Sequence, residues 1–356
     1  MSRTRLRTNG ITIGHLPPGP HNAITDVPGV WVGHSTLIYD EPRVARTGVT
    51  MLVPRAGNIW RDHVFAGYHS FNGCGEITGL PWLEESGIIG APIGLTNTHQ
   101  VGLVRDAVIA YAIDHNYFED FFLPVVAETY DGWLNDIGAF HVTQEHVCQA
   151  IEAAQGGKVA EGNVGGGTGM ICHEFKGGIG TASRAVINEH GQYLVGALVQ
   201  TNYGVRAHLR VDGAPVGREI TPEETPVPWD ENRSRSSIIV ILATDAPLLP
   251  VQCRRLAQRA TVGLARVGGV GHNRSGDMFL AFATGNHLPA NSARPYELKM
   301  LPHEQLNPFF EAAAEATEEA ILNALTAAQT MTGFKERTVH ALPLDRLKEI
   351  VRRHNF

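Results

Sequence analysis

The unbroken apolar run Ile238–Ala243 constrains the fold of this chain more than any other stretch of its sequence. The run is rich in β-branched residues and is short, which together indicate a strand rather than a helix. Because polar residues do not alternate with apolar ones, the strand is predicted to be buried on both faces. Two serines, Ser236 and Ser237, stand directly before it, at its junction with a long polar segment.

Other apolar runs predict six further strands, and periodic patterns predict five helices. Together with a strand at 237–244, the predicted strands are 29–37, 47–53, 123–128, 179–187, 193–200 and 278–284. The predicted helices are 102–115, 143–154, 247–267, 304–328 and 344–354. Asp245 and Pro247 would begin the helix at 247–267. Strands and helices mix without strict βαβ alternation, which favours a layered α/β or α+β fold over a Rossmann fold or a barrel.

Composition excludes several classes of function. The net charge of −7 carries no basic patch, so neither nucleic acid nor an anionic membrane is an expected partner. The N-terminal stretch lacks the apolar core of a secretory signal, and no apolar window is long enough to span a bilayer. The four cysteines form no CxxC pair, which fits reduced thiols in a cytoplasmic protein better than disulfides or a zinc site.

The segment 211–235 differs from the rest of the chain. It is rich in Pro, Glu, Arg and Asp, and Pro222, Pro226 and Pro228 interrupt any regular element. No continuous apolar face is expected there. A structureless stretch of this length is usually functional or a linker, so it could join two domains or be a loop that is cut.

Familiar catalytic motifs do not occur. The glycine-rich segments 162–169 and 177–180 complete neither a P-loop nor a GxGxxG motif, and HExxH, GxSxG and SxxK are missing. Polar residues instead collect at strand boundaries, and these are Glu128, Tyr130, Asn202, Ser236, Ser237, Ser275 and Asp277. Each could be a turn former or a cap, but their joint placement favours a site.

These residues lie in segments that resemble one family. The segments are SIIVILATDAPLLP, QCRRLAQRATVGLARVGG, SGDMFLAFATGN, VVAETYDGWLND, LVQTNYGVRAHLRVDGAPVG and NAITDVPGVWVGHSTL. They resemble the DmpA-like self-processing aminopeptidases, which include L-aminopeptidase/D-esterases and β-peptidyl aminopeptidases, and they extend from about residue 10 to residue 330. The resemblance implies a single-domain, four-layer αββα sandwich of the kind shared with ornithine acetyltransferase. It also implies a homotetramer of α/β chain pairs.

The resemblance places the self-cleavage at the Ser236–Ser237 bond, which would yield an α chain of residues 1–236 and a β chain of 237–356. The Ser-Ser junction departs from the Gly-Ser junction expected in the family. After cleavage Ser237 would carry both a hydroxyl and a free α-amine. An α-amine has an unperturbed pKa of roughly 7.7–8.0, so it can act as the general base for its own hydroxyl without a histidine.

The resemblance also implies roles for the other polar residues. The catalytic set is Ser237, Ser275, Asp277, Asn202 and Tyr130, and Glu128 is substrate-binding. Ser275 would contact the nucleophile and Asp277 would orient Ser275, since residues two apart on a strand share a face. Asp stands at 277 where Glu is expected.

Asn202 would donate to the oxyanion, with Tyr130 as a second polar contact to the oxyanion or the leaving group. Glu128 would pair with the free amino terminus of the substrate. Arg184 and the turn 95–99 are weaker candidates for lining the pocket. The implied reaction removes the N-terminal residue from short peptides, amides or esters through an acyl-enzyme, without a metal or organic cofactor.

Three alternatives remain open at this point. An acyltransferase related to ornithine acetyltransferase would share the fold, although it would use a threonine nucleophile. An uncut chain could instead be a non-catalytic scaffold. A third alternative is a pair of domains joined by the segment 211–235.

Overall fold

The computed structural model describes residues 3–57, 59–117, 121, 123–188, 191–229 and 236–354. Its strands are β1 (Trp31–Tyr39), β2 (Ala45–Val53), β3 (Asp62–Gly73), β4 (Ile88–Ile89), β5 (Ile93–Asn97), β6 (Val126–Thr129), β7 (Ile171–Cys172), β8 (Phe175–Lys176), β9 (Gly178–Asn188), β10 (Gly191–Asn202), β11 (Ser236–Thr244), β12 (Ser275–Pro289), β13 (Met331–Thr332) and β14 (Thr338–Val339). Its α-helices are α1 (Leu80–Ser86), α2 (Val101–Asp114), α3 (Gln144–Glu152), α4 (Val216–Glu219), α5 (Pro250–Val267), α6 (Asn307–Ala327) and α7 (Leu344–His354).

Two sheets form the centre of the molecule. The larger sheet has six strands in the order β4-β3-β12-β11-β10-β9, and the smaller has four in the order β1-β2-β5-β6. In the larger sheet β11 and β12 run parallel, whereas β10 and β11 are antiparallel. The predicted strand 237–244 therefore lies inside the larger sheet, as β11, with a neighbour on each side.

Side chains of β11 alternate between two cores, which is why the strand is apolar on both faces. Ile239 and Ile241 pack between the two sheets against residues such as Leu52 and Leu95 of the smaller sheet. Val240 and its alternate neighbours face the opposite side, where α5 and α6 cover the larger sheet.

Helices α2 and α3 cover the outer face of the smaller sheet, where Val104 and Val147 pack against Val49. The order of layers is thus helices, smaller sheet, larger sheet and helices. The predicted four-layer αββα sandwich is confirmed. Within the described residues, no helix combines the length and apolar composition needed to cross a bilayer.

Several predicted boundaries were wrong for local reasons. Helix α5 begins at Pro250 rather than at 247, because Leu249 is its N-cap residue. Asp245 does not cap this helix, since its Oδ1 accepts a hydrogen bond from the backbone N–H of Leu194 at 2.7 Å. Strands β3 and β5 were missed: β3 mixes buried and exposed residues without alternation, and β5 is short and contains a glycine.

The polar segment after β10 is partly ordered and packed. Val211, Val216 and Ile220 are fully buried in the main core, so the expectation that nothing there packs an apolar face was wrong for residues 211–229. Residues 230–235 lie outside the described part of the chain. Since β10 precedes this segment and β11 follows it in the same sheet, a pair of separately folded domains does not account for the architecture.

Arg184 has a structural role, although the sequence made it a candidate for the pocket. Its side chain is fully buried between β9 and α6, where Nε donates to Glu315 at 2.9 Å and Nη2 to Glu319 at 2.7 Å. A buried arginine needs such partners, because desolvation of an unpaired charge is costly. Arg184 therefore holds a helix against the larger sheet and does not reach the candidate site.

Candidate active site

Ser237 lies near the start of β11, in the middle of the larger sheet. It pairs with Asn202 of β10 on one side and with Gly276 of β12 on the other. Its hydroxyl donates to the carbonyl oxygen of Ser236 at 2.7 Å and accepts a hydrogen bond from the backbone N–H of Gly276 at 3.3 Å. Both serines are buried. The hydroxyl is therefore held against the carbonyl group of the peptide bond that precedes it.

Ser275 and Asp277 lie on the adjoining strand β12. The Ser275 hydroxyl donates to Asp277 Oδ1 at 2.6 Å, and both side chains are buried. In the sheet register Ser275 is the partner of Ser236, one residue before Ser237. The contact from Asp277 to Ser275 is present as predicted, whereas the Ser275 hydroxyl is engaged by Asp277 rather than by Ser237.

Burial raises the pKa of Asp277 to about 6, and its hydrogen bonds from Ser275 and from the backbone N–H of Ile238 oppose this rise. Desolvation disfavours the charged form of a carboxyl group, whereas donated hydrogen bonds favour it. The deprotonated carboxylate accepts the Ser275 hydroxyl hydrogen and thereby fixes the orientation of that hydroxyl.

Asn202 ends β10 and has both of its amide atoms engaged. Its Oδ1 accepts a hydrogen bond from the backbone N–H of Ile171 at 2.9 Å, and its Nδ2 donates to the carbonyl oxygen of Tyr130 at 2.9 Å. A primary amide carries two N–H donors, so one N–H of Nδ2 remains for a further acceptor. The two contacts hold this donor beside Ser237.

Tyr130 follows β6 directly and is half-buried. Its ring packs on Gly132, where a Cβ atom would lie 2.4 Å from the tyrosine oxygen, so only glycine allows this approach. The backbone carbonyl of Tyr130 joins it to Asn202. The smaller sheet thus meets the larger one at the predicted site.

Glu128 lies on β6 and is buried. Its Oε2 accepts a hydrogen bond from the Thr98 hydroxyl, and its Oε1 accepts one from the backbone N–H of Glu76 at 3.1 Å. A Cβ atom built on Gly75 would lie 3.1 Å from Glu128 Oε1 and 3.2 Å from Gly276 Cα, so the carboxyl group lies near the strand that contacts Ser237.

The electrostatics of Glu128 suit it to bind a cation. Burial raises its pKa, while the hydrogen bonds from Thr98 and from the Glu76 backbone lower it. In the described part of the chain, no lysine or arginine forms an ion pair with this carboxyl group. A buried carboxylate without a partner of opposite charge provides a place for a positively charged group of a ligand.

The structure brings all of the predicted site residues into one region. Three strands of the larger sheet contribute Ser237, Asn202, Ser275 and Asp277, and the end of β6 contributes Glu128 and Tyr130. The turn 95–99 reaches the site through Thr98, which contacts Glu128.

Sequence reasoning missed two buried charged residues next to this region. Lys176 is fully buried, and its Nζ donates to the carbonyl oxygens of Met170 at 2.8 Å and Gly177 at 2.9 Å. Burial lowers the pKa of Lys176 to about 7 and raises that of Asp131 to about 7. Lys176 holds together the glycine-rich turn that presents the N–H of Ile171 to Asn202. A single lysine among glycines carries no sequence signal for this role.

A cavity of about 270 Å³ opens beside Asn202 and Tyr130. Its walls include Trp133 and Trp229, whose rings meet edge to face with centroids 5.4 Å apart. No local pattern in the sequence indicates this cavity, because its walls come from segments far apart in the chain.

The profile of peptidase family S58 matches residues 22–339. The chain belongs to peptidase family S58. The match includes every site residue described above, on both sides of the Ser236–Ser237 bond.

Similar proteins agree with this S58 assignment. The chain is 48% identical over 354 residues to the β-peptidyl aminopeptidase BapA of Sphingosinicella microcystinivorans, covering 95% of this chain and 89% of that protein. Its structure matches a β-aminopeptidase of Burkholderia sp. with a TM-score of 0.93 and 51% identity, covering 99% of each chain.

It also matches the L-aminopeptidase D-Ala-esterase/amidase of Ochrobactrum anthropi, with a TM-score of 0.91 and 43% identity over 99% of each chain. That enzyme is described as a prototype of the serine aminopeptidases and as a variant of the Ntn hydrolase fold. This S58 chain is accordingly a hydrolase, a serine aminopeptidase of the N-terminal-nucleophile type. The matches support neither the acyltransferase nor the non-catalytic scaffold.

Proposed function

We propose that the chain cleaves its own Ser236–Ser237 bond and then uses Ser237 as an N-terminal nucleophile to remove N-terminal residues from short peptides, amides or esters. The observation that carries this proposal is the Ser237 hydroxyl, held 2.7 Å from the carbonyl oxygen of Ser236 inside the larger sheet. The two products, residues 1–236 and 237–356, remain together because strands of both belong to one sheet.

The self-cleavage proceeds in two balanced steps. Ser237 Oγ adds to the carbonyl carbon of Ser236, its proton moves to the departing amide nitrogen, and the C–N bond breaks to leave an ester. Water then adds to the ester and releases the Ser236 carboxylate and the Ser237 hydroxyl. Asn202 supplies an N–H to the oxygen that becomes negatively charged in each step.

The same groups serve the mature enzyme. The new α-amine of Ser237 withdraws the hydroxyl proton as Oγ attacks the scissile carbonyl, and it returns that proton to the leaving amine. Ser275, oriented by Asp277, supports the amine or hydroxyl of Ser237, and Tyr130 stands beside the oxyanion. Water hydrolyses the resulting acyl-enzyme. No step in this sequence calls for a metal or an organic cofactor.

Glu128 sets the requirement for a free N-terminal amine. Its buried carboxylate accepts hydrogen bonds from Thr98 and Glu76, and it pairs with the substrate ammonium through a charge-assisted contact. Because two similar proteins are named for β-peptidyl and β-amino substrates, we extend the proposal to N-terminal β-amino acids.

The proposal includes a cytoplasmic homotetramer of cleaved chain pairs. The four cysteines are all free, which suits a reducing compartment. The family resemblance supports the assembly, and light scattering of the purified enzyme measures it. A mass of four chain pairs is expected, and a stable mass of one or two pairs contradicts it.

The test compares intact mass and N-terminal sequence of wild type with the variants Ser237→Ala and Ser236→Ala. Wild type is expected to show a second N-terminus at Ser237 and to hydrolyse aminoacyl p-nitroanilides. Ser237→Ala remains whole and inactive. Ser236→Ala keeps the nucleophile and still cleaves, so it is the matched control. An uncut wild type that is nevertheless active, or an active Ser237→Ala variant, contradicts the proposal.

A further inference from the structure

The cavity beside Asn202 is cationic at one end. Lys335 and Arg337 line it there, and they belong to the hairpin formed by β13 and β14. Among the described residues, neither side chain forms an ion pair with a carboxylate. Two unpaired cations facing one small cavity create a field that favours an anion.

The hairpin is held rigidly in this position. Gly333 donates to the carbonyl oxygen of Arg337 at 2.9 Å, and the N–H of Phe334 donates to the carbonyl oxygen of Leu134 at 2.7 Å. A Cβ atom at position 333 would lie 2.2 Å from that same Leu134 oxygen, so glycine is required for the approach. The tip contains Lys335 and Glu336 at φ of 58° and 57°, a left-handed conformation that is strained for residues other than glycine.

Arg337 is fixed by its own contacts. Its guanidinium lies 3.9 Å from the centroid of the Trp133 ring, and Nη1 donates to the carbonyl oxygen of Trp133 at 3.3 Å. Stacking on an aromatic face leaves the edge of a guanidinium free, and that edge matches the two oxygens of a carboxylate. Among the described residues the other N–H groups of Arg337 have no acceptor, so they can serve a ligand.

The position of the cavity indicates which part of a substrate enters it. Asn202, the proposed oxyanion donor, lines the cavity, whereas Glu128, the proposed partner of the substrate amine, does not. The scissile carbonyl lies between these two groups, so the cavity receives the residue on the leaving side of that carbonyl. Ligand pockets for drug-sized molecules measure about 300–1,000 Å³, so a volume of about 270 Å³ suits a single residue.

We infer that this cavity binds the free α-carboxylate of the leaving residue, with Arg337 as its main partner, so that the preferred substrates are dipeptides with a free C-terminal carboxylate. Lys335 adds a weaker, more exposed charge. The inference rests on the proposed function, because it takes the scissile carbonyl to lie at Ser237 and Asn202.

The test compares kcat/KM for a dipeptide acid, the same dipeptide as its C-terminal amide, and an aminoacyl p-nitroanilide. The kcat/KM of wild type is expected to be about tenfold to a hundredfold higher for the acid than for the amide. This is the factor that one hydrogen bond between charged groups contributes. Arg337→Gln loses that preference and keeps its kcat/KM for the amide. Lys335→Gln lowers the preference for the acid by about twofold to fivefold, because an exposed charge contributes little. The exposed Arg294→Gln is the matched control and behaves as wild type.

Three outcomes overturn the inference. The first is equal hydrolysis of acid and amide by wild type. The second is an equal loss on acid and amide in a folded Arg337→Gln, which would make this arginine a support for Trp133 only. The third is an Arg337-dependent preference for N-terminal Asp over Asn in dipeptide amides, which would place the carboxylate on the acyl side. Hydrolysis of the p-nitroanilide tests the proposed function separately, since that substrate has no carboxylate.

Discussion

The larger and the smaller sheet contribute to the site in different ways. Ser237, Asn202 and Gly276 are direct neighbours in the regular ladder of the larger sheet, where backbone hydrogen bonds set their spacing. Glu128 and Tyr130 lie instead at the end of β6, the edge strand of the smaller sheet, and their positions depend on loops that approach closely. Most of the groups proposed to react are thus carried by the regular ladder of the larger sheet, whereas Tyr130 and Glu128, the proposed partner of the substrate amine, lie where a strand ends and a loop begins.

This division predicts that some changes affect both self-cleavage and peptide hydrolysis, whereas others affect hydrolysis alone. Self-cleavage needs the groups of the larger sheet but involves no substrate amine. Hydrolysis needs both sheets. Measuring the two rates for the same variant therefore separates the contributions.

The largest effect is expected for Asn202→Ala, which removes the proposed oxyanion donor. Loss of one such donor typically lowers turnover by about 10²–10³-fold, and here self-cleavage and hydrolysis should both slow by that order. The rates are measured by the appearance of the β chain on gels and by p-nitroanilide release. Asn163→Ala, which also removes an amide contact to a backbone carbonyl, is the matched control. Unchanged rates in a folded Asn202→Ala would remove this residue from the mechanism.

A smaller and selective effect is expected for Glu128→Gln. Since a hydrogen bond to a charged group contributes about 1.5–3 kcal/mol, kcat/KM for substrates with a free amine should fall about tenfold to a hundredfold. Self-cleavage should continue at the wild-type rate, because the peptide bond before Ser237 has no free amine near it. The exposed Glu76→Gln removes a neighbouring charge and is the control. A Glu128→Gln variant that fails to self-cleave would show that this carboxylate belongs to the reacting set.

The smallest effect concerns the pH dependence of self-cleavage. Asp277 has a pKa raised to about 6, so it is ionised above that pH and gains a proton below it. The protonated carboxyl orients Ser275 less well, so the rate should fall by about twofold to tenfold as the pH decreases through about 6 and then level off, as expected for the loss of one well-oriented hydrogen bond. The precursor lacks the free α-amine of Ser237, and the Asp277→Asn variant separates the titration of Asp277 from those of Lys176 and Asp131, whose pKa values are shifted to about 7.

The measurement is the initial rate of β-chain formation after refolding across a range of pH. Asp277→Asn should form the β chain slowly, and its rate should no longer fall as the pH decreases through about 6. If the rate of Asp277→Asn still falls at low pH, another group is responsible for the titration.

Much of the layered core could be predicted because apolar runs report burial directly. The run 238–243 predicted a strand buried on both faces, and the spacing of Ser275 and Asp277 predicted side chains on one face. Both hold, because the period of a strand is a local property of the backbone. Strand β3 could not be predicted, since its exposed end and buried start give no regular pattern.

Function could be predicted from extended segments that resemble a family, whereas the walls of the cavity beside Asn202 could not. Arg184 appeared as a candidate for the pocket, yet its partners Glu315 and Glu319 lie on a helix about a third of the chain away. Trp133 and Arg337 likewise come together only because a hairpin near the end of the chain docks on the loop after β6. Contacts between residues so far apart in the chain produce no pattern in the local sequence.

The order of polar and apolar residues alone determined that the chain has a buried strand at 238–243 and that a pair of serines stands at its start. Only the tertiary structure decided what surrounds Ser237: an amide held by Ile171 and Tyr130 and, within the described part of the chain, a carboxyl group and two cations that form no ion pair. The reason is physical. Hydrophobic periodicity acts over a few residues, whereas the charge and shape of a site depend on which distant segments burial forces into contact.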